Sequence, residues 1–338
     1  MYKILFTITL IMGTLISISS YTWMGTWMGL EINLLSFIPM MMKKNNSFSS
    51  ESSIKYFLIQ AMASSIFMFM IILIMINNNM INNWMYINQF MMMLVNSTLM
   101  LKMGAAPFHF WFPEIIEGMS WMNSLMLMTW QKIAPMMLLS YTLKYTNYII
   151  MIILISTLIG SIIGLNQTSL RKLLTYSSIN HIGWMLSSFL INDMMWILYF
   201  SIYSFISITI IYILNKMNLF YMKQIYMMLN YNIIIKFMIM LNLLSLGGLP
   251  PFLGFLPKWI IIQYMSMNYI YLILFMIMMT LITLFFYLQI SYSSLMIMHN
   301  NINFNLINKN YKISMNMMIL SFISICSLMM FTLFFNFY

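Results

Sequence analysis

Two stretches, Gly104-Ala105-Ala106-Pro107-Phe108-His109-Phe110-Trp111-Phe112-Pro113 and Gly248-Leu249-Pro250-Pro251-Phe252-Leu253-Gly254-Phe255-Leu256-Pro257, align without a gap at an offset of 144 residues. Glycine and proline this dense end or kink a helix. Each cluster nevertheless sits inside a long apolar run, so each run reads as one helix with a break in it. A match at a fixed offset, repeated in the surrounding helix pattern, marks an internal duplication.

The runs around these breaks are too apolar for a water-soluble fold. Of 338 residues, 62% are hydrophobic and 6% are charged, and mean hydropathy is +0.89. Spanning a hydrocarbon layer of roughly 30 Å takes about 20 mostly apolar residues, so the length allows some ten or eleven spans and no separate soluble domain. Division at Asn, Ser, Lys and Pro clusters predicts helices near 4–22, 26–42, 54–76, 88–112, 120–142, 147–165, 173–191, 194–214, 235–265, 269–294 and 314–335. The first reads as a retained span, because no small-residue cleavage site follows it. The fourth and ninth carry the breaks.

Five helices per unit is an odd number, so the two units are expected to point oppositely across the membrane. The expected fold is therefore all-α and polytopic, with a first inverted repeat over 1–145 and a second over 146–296. Residues 297–338 are expected to supply an inner loop and a C-terminal helix. Asn-rich stretches at 77–83 and 299–310 read as loops.

Charge placement sets the orientation. With the N-terminus inside, the inner loops hold Lys3, Lys43, Lys44, Lys55, Arg171, Lys172, Lys216, Lys223, Lys236, Lys309 and Lys312, and the outer loops hold only Lys144. That bias predicts an N-in, C-out chain. The net charge of +10 is scattered in ones and twos, which argues against nucleic-acid binding. Arg171 and Lys172 read as topology or anionic-lipid contacts. One cysteine, Cys326, and three scattered histidines leave no expected disulfide, Fe–S, haem or zinc site, so redox chemistry is expected on a partner. The 46 methionines and abundant Ile, Asn and Phe fit an A+T-biased, organelle-encoded gene.

Inside the spans stand Glu31, Lys102, Lys132, His181 and Lys258. Insertion scales put a central charge at roughly +2.5 to +3.5 kcal/mol, so four of them oppose insertion by on the order of 10 kcal/mol unless partners, water or a function accounts for them. Lys132 lies about 18 Å into its helix, and Pro135, lacking an N–H, leaves the Gln131 carbonyl without its helical donor. Lys102 precedes the first break and Lys258 follows the second, where hydrated gaps would let a lysine change protonation. Glu31 is the acid best placed to be their counter-ion, either as a moving switch or as a fixed ion pair. His181 suits proton transfer near neutral pH or a packing hydrogen bond. His109 reads as binding a carbonyl freed by the first break, or else as serving in the relay. Glu114 and Glu117 precede the fifth helix, where acids near the N-terminus favour the helix dipole.

These residues sit in Trp27-Met-Gly-Leu-Glu31-Ile-Asn-Leu-Leu-Ser-Phe37, Leu101-Lys-Met-Gly-Ala-Ala-Pro-Phe-His-Phe-Trp111, Thr129-Trp-Gln-Lys-Ile-Ala-Pro135 and Leu246-Gly-Gly-Leu-Pro-Pro-Phe-Leu-Gly-Phe-Leu-Pro-Lys258. Together they resemble the antiporter-like subunits of animal mitochondrial complex I, which are related to Mrp-type sodium/proton antiporters, over nearly the whole chain. The resemblance implies a place in the membrane arm of a proton-pumping NADH:ubiquinone oxidoreductase, in the mitochondrial inner membrane. It implies the matrix on the inner side and the intermembrane space at the C-terminus.

The resemblance also assigns roles. Glu31 matches the helix-borne glutamate, Lys102 the lysine paired with it, Lys132 the central relay lysine and Lys258 the lysine at the second break. Protons are expected to move along Lys102, Lys132, water and Lys258, with no cofactor in this chain. FMN, Fe–S clusters and ubiquinone are expected on other subunits, and other membrane-arm subunits and phospholipids are the expected partners. Bacterial relatives would carry three further N-terminal helices, so lipid or neighbouring subunits are expected on that flank. A freestanding cation/proton antiporter and a passive membrane scaffold are the competing readings.

Overall fold

The computed structural model describes residues 2–43, 46–78, 89–143, 146–228, 233–296, 315 and 318–325. Among them the chain is helical with a single isolated β-bridge, Ser169 to Tyr221. Helical backbone satisfies its own N–H and C=O groups, which a hydrocarbon surrounding demands. Cys326, Lys44, Lys144, Lys309, Lys312, the Asn-rich stretches from residue 79 and over 299–310, and most of the expected eleventh span lie outside the described residues.

The helices are α1 (Tyr2–Ser19), α2 (Trp23–Met41), α3 (Ser47–Asn78), α4 (Gln89–Met103), α5 (Trp111–Gly118), α6 (Trp121–Met128), α7 (Trp130–Thr142) and α8 (Thr146–Ile162). A 3₁₀ turn at Ile163–Asn166 follows. Then come α9 (Leu170–Phe189), α10 (Asp193–Met217), α11 (Met222–Met228), α12 (Ile233–Gly247), α13 (Phe255–Met265) and α14 (Ile270–Met296). Among the described residues, five helices are long and apolar enough to cross a membrane: Tyr2–Ser19, Ser47–Ile76, Thr146–Asn166, Asp193–Met217 and Ile270–Tyr292.

The structure departs from the expected pattern in four places. The fifth run, expected as one helix, is split at Thr129 into α6 and α7. The Thr129 hydroxyl bonds the Leu125 carbonyl at 2.8 Å, a back-bond that bends helices. The third helix starts at Ser47 rather than 54, so Lys55 sits on α3 and not in a loop. Lys236, expected in an inner loop, belongs to α12 and is buried. Glu114 and Glu117, expected ahead of the fifth helix, lie on the short α5, Glu114 in its first turn and Glu117 near its end.

The chain divides into two compact units, Met1–Ser156 and Thr157–Tyr338. In the first unit, α1 and α2 meet through small residues. A Cβ on Gly29 would fall 2.5 Å from Ser17 N, and one on Gly13 would fall 2.5 Å from Asn33 Oδ1, so the helices approach to backbone distance. Thr22 caps α2, accepting from Gly25 N at 3.3 Å. Buried Asn96 on α4 and Thr142 on α7 share a 2.5 Å hydrogen bond, and Tyr2, Leu5, Ile8, Met12 and Leu15 leave an apolar face of α1 exposed.

In the second unit, α9 is enclosed all round. Every residue from Ser177 to Phe189 is buried, and its serines close their hydroxyls onto the preceding turn, as Ser177 does to Leu174 O at 2.8 Å. A Cβ on Gly160 would lie 2.7 Å from Asn180 N, so that glycine permits a close approach to α9.

Candidate functional site

Both breaks are built the same way. At the first, Ala105 N donates to Met100 O at 3.0 Å and Gly104 N to Leu101 O at 3.2 Å, with Gly104 at φ +74°. At the second, Leu249 N donates to Leu244 O at 3.4 Å and Gly248 N to Ser245 O at 3.1 Å, with Gly248 at φ +85°. This is the Schellman ending, in which a glycine adopts the left-handed conformation that side chains resist.

The carbonyls that the breaks release find side-chain donors. In the first unit, Trp111 Nε1 donates to Leu101 O at 3.1 Å and Gln60 Nε2 to Lys102 O at 3.2 Å. His109, buried, brings Nδ1 to 3.3 Å from Pro107 O, so it binds a loop carbonyl as expected. In the second unit, the Lys258 ammonium donates to Gly247 O at 2.8 Å. Lys258 is 5% exposed and stands one turn into α13.

Lys102 and Lys132 are brought together. Both line one cavity in the first unit, with Asn33, Tyr56, Gln60 and Gln131 as its polar wall and Leu30, Leu127 and Trp111 among its apolar one. The space open to the centres of water-sized spheres is about 20 Å³, above the 10–15 Å³ that one water needs. Lys132 is 1% exposed, with its ammonium 5.4 Å from the Phe112 ring centre. The Lys102 ammonium stands 5.8 Å from that of Phe67. Among the described residues Gln131 Nε2 is buried without a protein partner, which leaves it a donor for a bridging water.

Glu31 occupies the middle of α2 within electrostatic reach of Lys102. Among the described residues the pair makes no contact within the 4.0 Å of a direct ion pair, such as Lys55 makes with Glu51 at 3.1 Å and Glu114 at 3.3 Å. His181, buried on α9, brings Nδ1 to 2.8 Å from the Tyr199 hydroxyl, with the Tyr203 ring centre 5.0 Å away. Arg171 packs over Phe220 at 4.9 Å.

The model of the NADH:quinone oxidoreductase/Mrp antiporter transmembrane family matches residues 20–283. The chain is 54% identical to NADH-ubiquinone oxidoreductase chain 2 of Anopheles gambiae over 329 residues, which is 96% of each chain. It belongs to the NADH-ubiquinone oxidoreductase chain 2 family. The chain 2 protein of Lumbricus terrestris is 37% identical over 290 residues, 85% of each chain.

Solved structures agree in fold with this chain 2 family member. A chain of respiratory complex I from Thermus thermophilus superposes with a TM-score of 0.78 at 20% identity, covering 87% of this chain and 70% of that one. A chain of the Mrp complex of a Dietzia species gives 0.75 at 16% identity, covering 84% and 59%.

Within the family fold, three features escaped the sequence reading. Tyr199 is eighteen residues from His181 on another helix, and Lys55 is 59 residues from Glu114; neither separation carries a periodic signal. Gln60 was passed over as one polar residue on an apolar helix. The separation of its partner Lys102 from it, 42 residues, hides the link, though a glutamine at mid-span is itself a signal that a backbone group needs a donor.

Proposed function

We propose that this chain is a core membrane-arm subunit of proton-translocating NADH:ubiquinone oxidoreductase, respiratory complex I, in the mitochondrial inner membrane. The observation that carries the mechanism is the cavity that gathers Lys102 and Lys132 among polar side chains in an otherwise apolar unit. Two enclosed lysines facing one water-sized space form a proton-exchange site, because a buried lysine readily changes its protonation with its surroundings.

In this reading Glu31, near Lys102 but not in contact with it, acts through distance. Its movement changes how tightly Lys102 holds its proton. Lys102 and Lys132 then exchange protons through the cavity, and Lys258 and His181 carry them in the second unit. Redox energy released on other subunits, where FMN, Fe–S clusters and ubiquinone reside, drives the change. This chain holds no cofactor of its own, and its partners are the other membrane-arm subunits and phospholipids.

The same reading has eleven spans in two inverted repeats, 1–145 and 146–296, with a further helix in 297–338. The N-terminus lies in the matrix and the C-terminus in the intermembrane space. The matching Schellman breaks at Gly104 and Gly248 support the repeat, and the lysine bias supports the orientation.

Native electrophoresis with an NADH-oxidation stain tests the assignment: the chain is expected in the large NADH-oxidising band. Migration alone, with antiport activity, supports a freestanding antiporter. Lys132→Met tests the relay within the assembled complex. Proton yield per NADH is expected to fall with assembly intact; an unchanged yield rejects the relay, and lost assembly supports a scaffold.

A further inference from the structure

The second unit buries a phenol against its histidine. Tyr199 and Tyr203 stand four residues apart on α10, so both face the same side of that helix. Both are buried, at 1% and 4% exposure, and both meet His181. The Tyr199 hydroxyl lies 2.8 Å from Nδ1, whereas Tyr203 presents its ring, tilted 42° to the imidazole. Tyr203 reaches Ser178, one turn back along α9, and Ser178 is itself closed onto Thr175 O at 2.7 Å.

An imidazole with one nitrogen engaged by a fixed partner has its tautomer and ring plane set by that partner. We propose that Tyr199 is the positioning residue for His181: its oxygen accepts from Nδ1–H and thereby makes Nε2 the nitrogen that gains and loses the proton. In the step, one proton adds to Nε2 to give the imidazolium and later leaves Nε2 again. The Nδ1–H bond to Tyr199 persists in both states, so the ring does not turn over between them. The inference rests on the relay reading of His181 given above.

The elements packed against α9 include α8, which approaches it at Gly160, with α10, α13, α14 and the 3₁₀ turn. Their buried titratable side chains are Tyr199 and Tyr203 on α10, Lys258 on α13 and Tyr287 on α14, with none on α8 or the turn. The Tyr199 hydroxyl meets Nδ1 of the imidazole at hydrogen-bond distance.

The test uses the complete complex carrying Tyr199→Phe, His181→Gln, both, or Tyr203→Phe, read as proton yield per NADH across a pH series and as the amount of complex assembled. Tyr199→Phe keeps the ring and removes the oxygen. It is expected to assemble, to lower proton yield on the order of tenfold, the worth of one hydrogen bond to a charged group, and to displace the pH profile. The double variant is expected to be no worse than His181→Gln, because Tyr199 acts through His181. Tyr203→Phe, which keeps the ring contact, is expected to leave the profile in place.

Normal yield with an unmoved profile in Tyr199→Phe, beside lost yield in His181→Gln, overturns the positioning role alone. Additive losses in the double variant overturn it too, as does loss of assembly in Tyr199→Phe. Normal yield in His181→Gln removes instead the relay reading on which the inference rests.

Discussion

Gly254→Ala places the smallest side chain where the second break has no room for it. A Cβ there would fall 1.8 Å from the Ser245 carbonyl oxygen, a backbone atom, whereas real Cβ atoms essentially never come closer than 3.0 Å. The end of α12 and the start of α13 must therefore part by at least 1.2 Å, the difference between those distances. Lys258 bonds across the same gap, to Gly247 O at 2.8 Å. If the whole displacement falls on that bond, it lengthens to about 4.0 Å and is lost.

Overpacking a close contact costs about 1–3 kcal/mol, and a hydrogen bond to a charged group is worth about 1.5–3 kcal/mol, so the combined loss is roughly 2.5–6 kcal/mol. Gly254 has φ −65°, which alanine adopts without strain, so any effect comes from the contact. The control is Gly247→Ala, whose Cβ would meet Tyr287 at an ordinary 3.4 Å inside a helix that alanine favours. The assay compares assembled complex and proton yield per NADH in the two variants. Gly254→Ala is expected to depress both and Gly247→Ala neither. Equal behaviour of the two would refute the idea that the close approach holds Lys258 in place.

Two further substitutions probe the first unit. Gly29→Leu, which drives a side chain into Ser17 and Gly13 of α1, is expected to detach α1 from α2; limited proteolysis in detergent should then cut between them, and protection equal to the parent would contradict this packing. Asn96→Leu removes the 2.5 Å bond to Thr142, yet Thr142 keeps its own-helix acceptor Leu139 O at 3.1 Å. Its coupling to Thr142→Val in a double-mutant cycle is therefore expected near the roughly 0.6 kcal/mol typical of interhelical bonds in membranes, and a value several times larger would show that the pair anchors α4 to α7.

The breaks were legible because their residues act locally. Glycine and proline change the backbone wherever they stand, and the 144-residue repeat made two weak signals into one strong one. Lys102, Lys132 and Lys258 were legible because a charge in an apolar run opposes insertion regardless of its neighbours. The split at Thr129 was not, since threonine is no breaker by type and the bend depends on its hydroxyl bonding Leu125 O. Nor was the gathering of Lys102 and Lys132 in one cavity, which requires α4 to pack on α7. Glu31 shows the limit from the other side: residue type predicted a counter-ion, while only packing decides that it stands off from Lys102.

The two breaks differ in what plugs them. At the first, the Leu101 and Lys102 carbonyls take side-chain bonds from an indole and an amide, Trp111 and Gln60, neither of which titrates. At the second, the Gly247 carbonyl is held by the Lys258 ammonium itself. The end of α4 is therefore held by uncharged groups, whose grip does not depend on how many protons sit on the lysine beside it. The second is a joint whose fastener is also its charge, so every change in that charge is felt directly by the backbone.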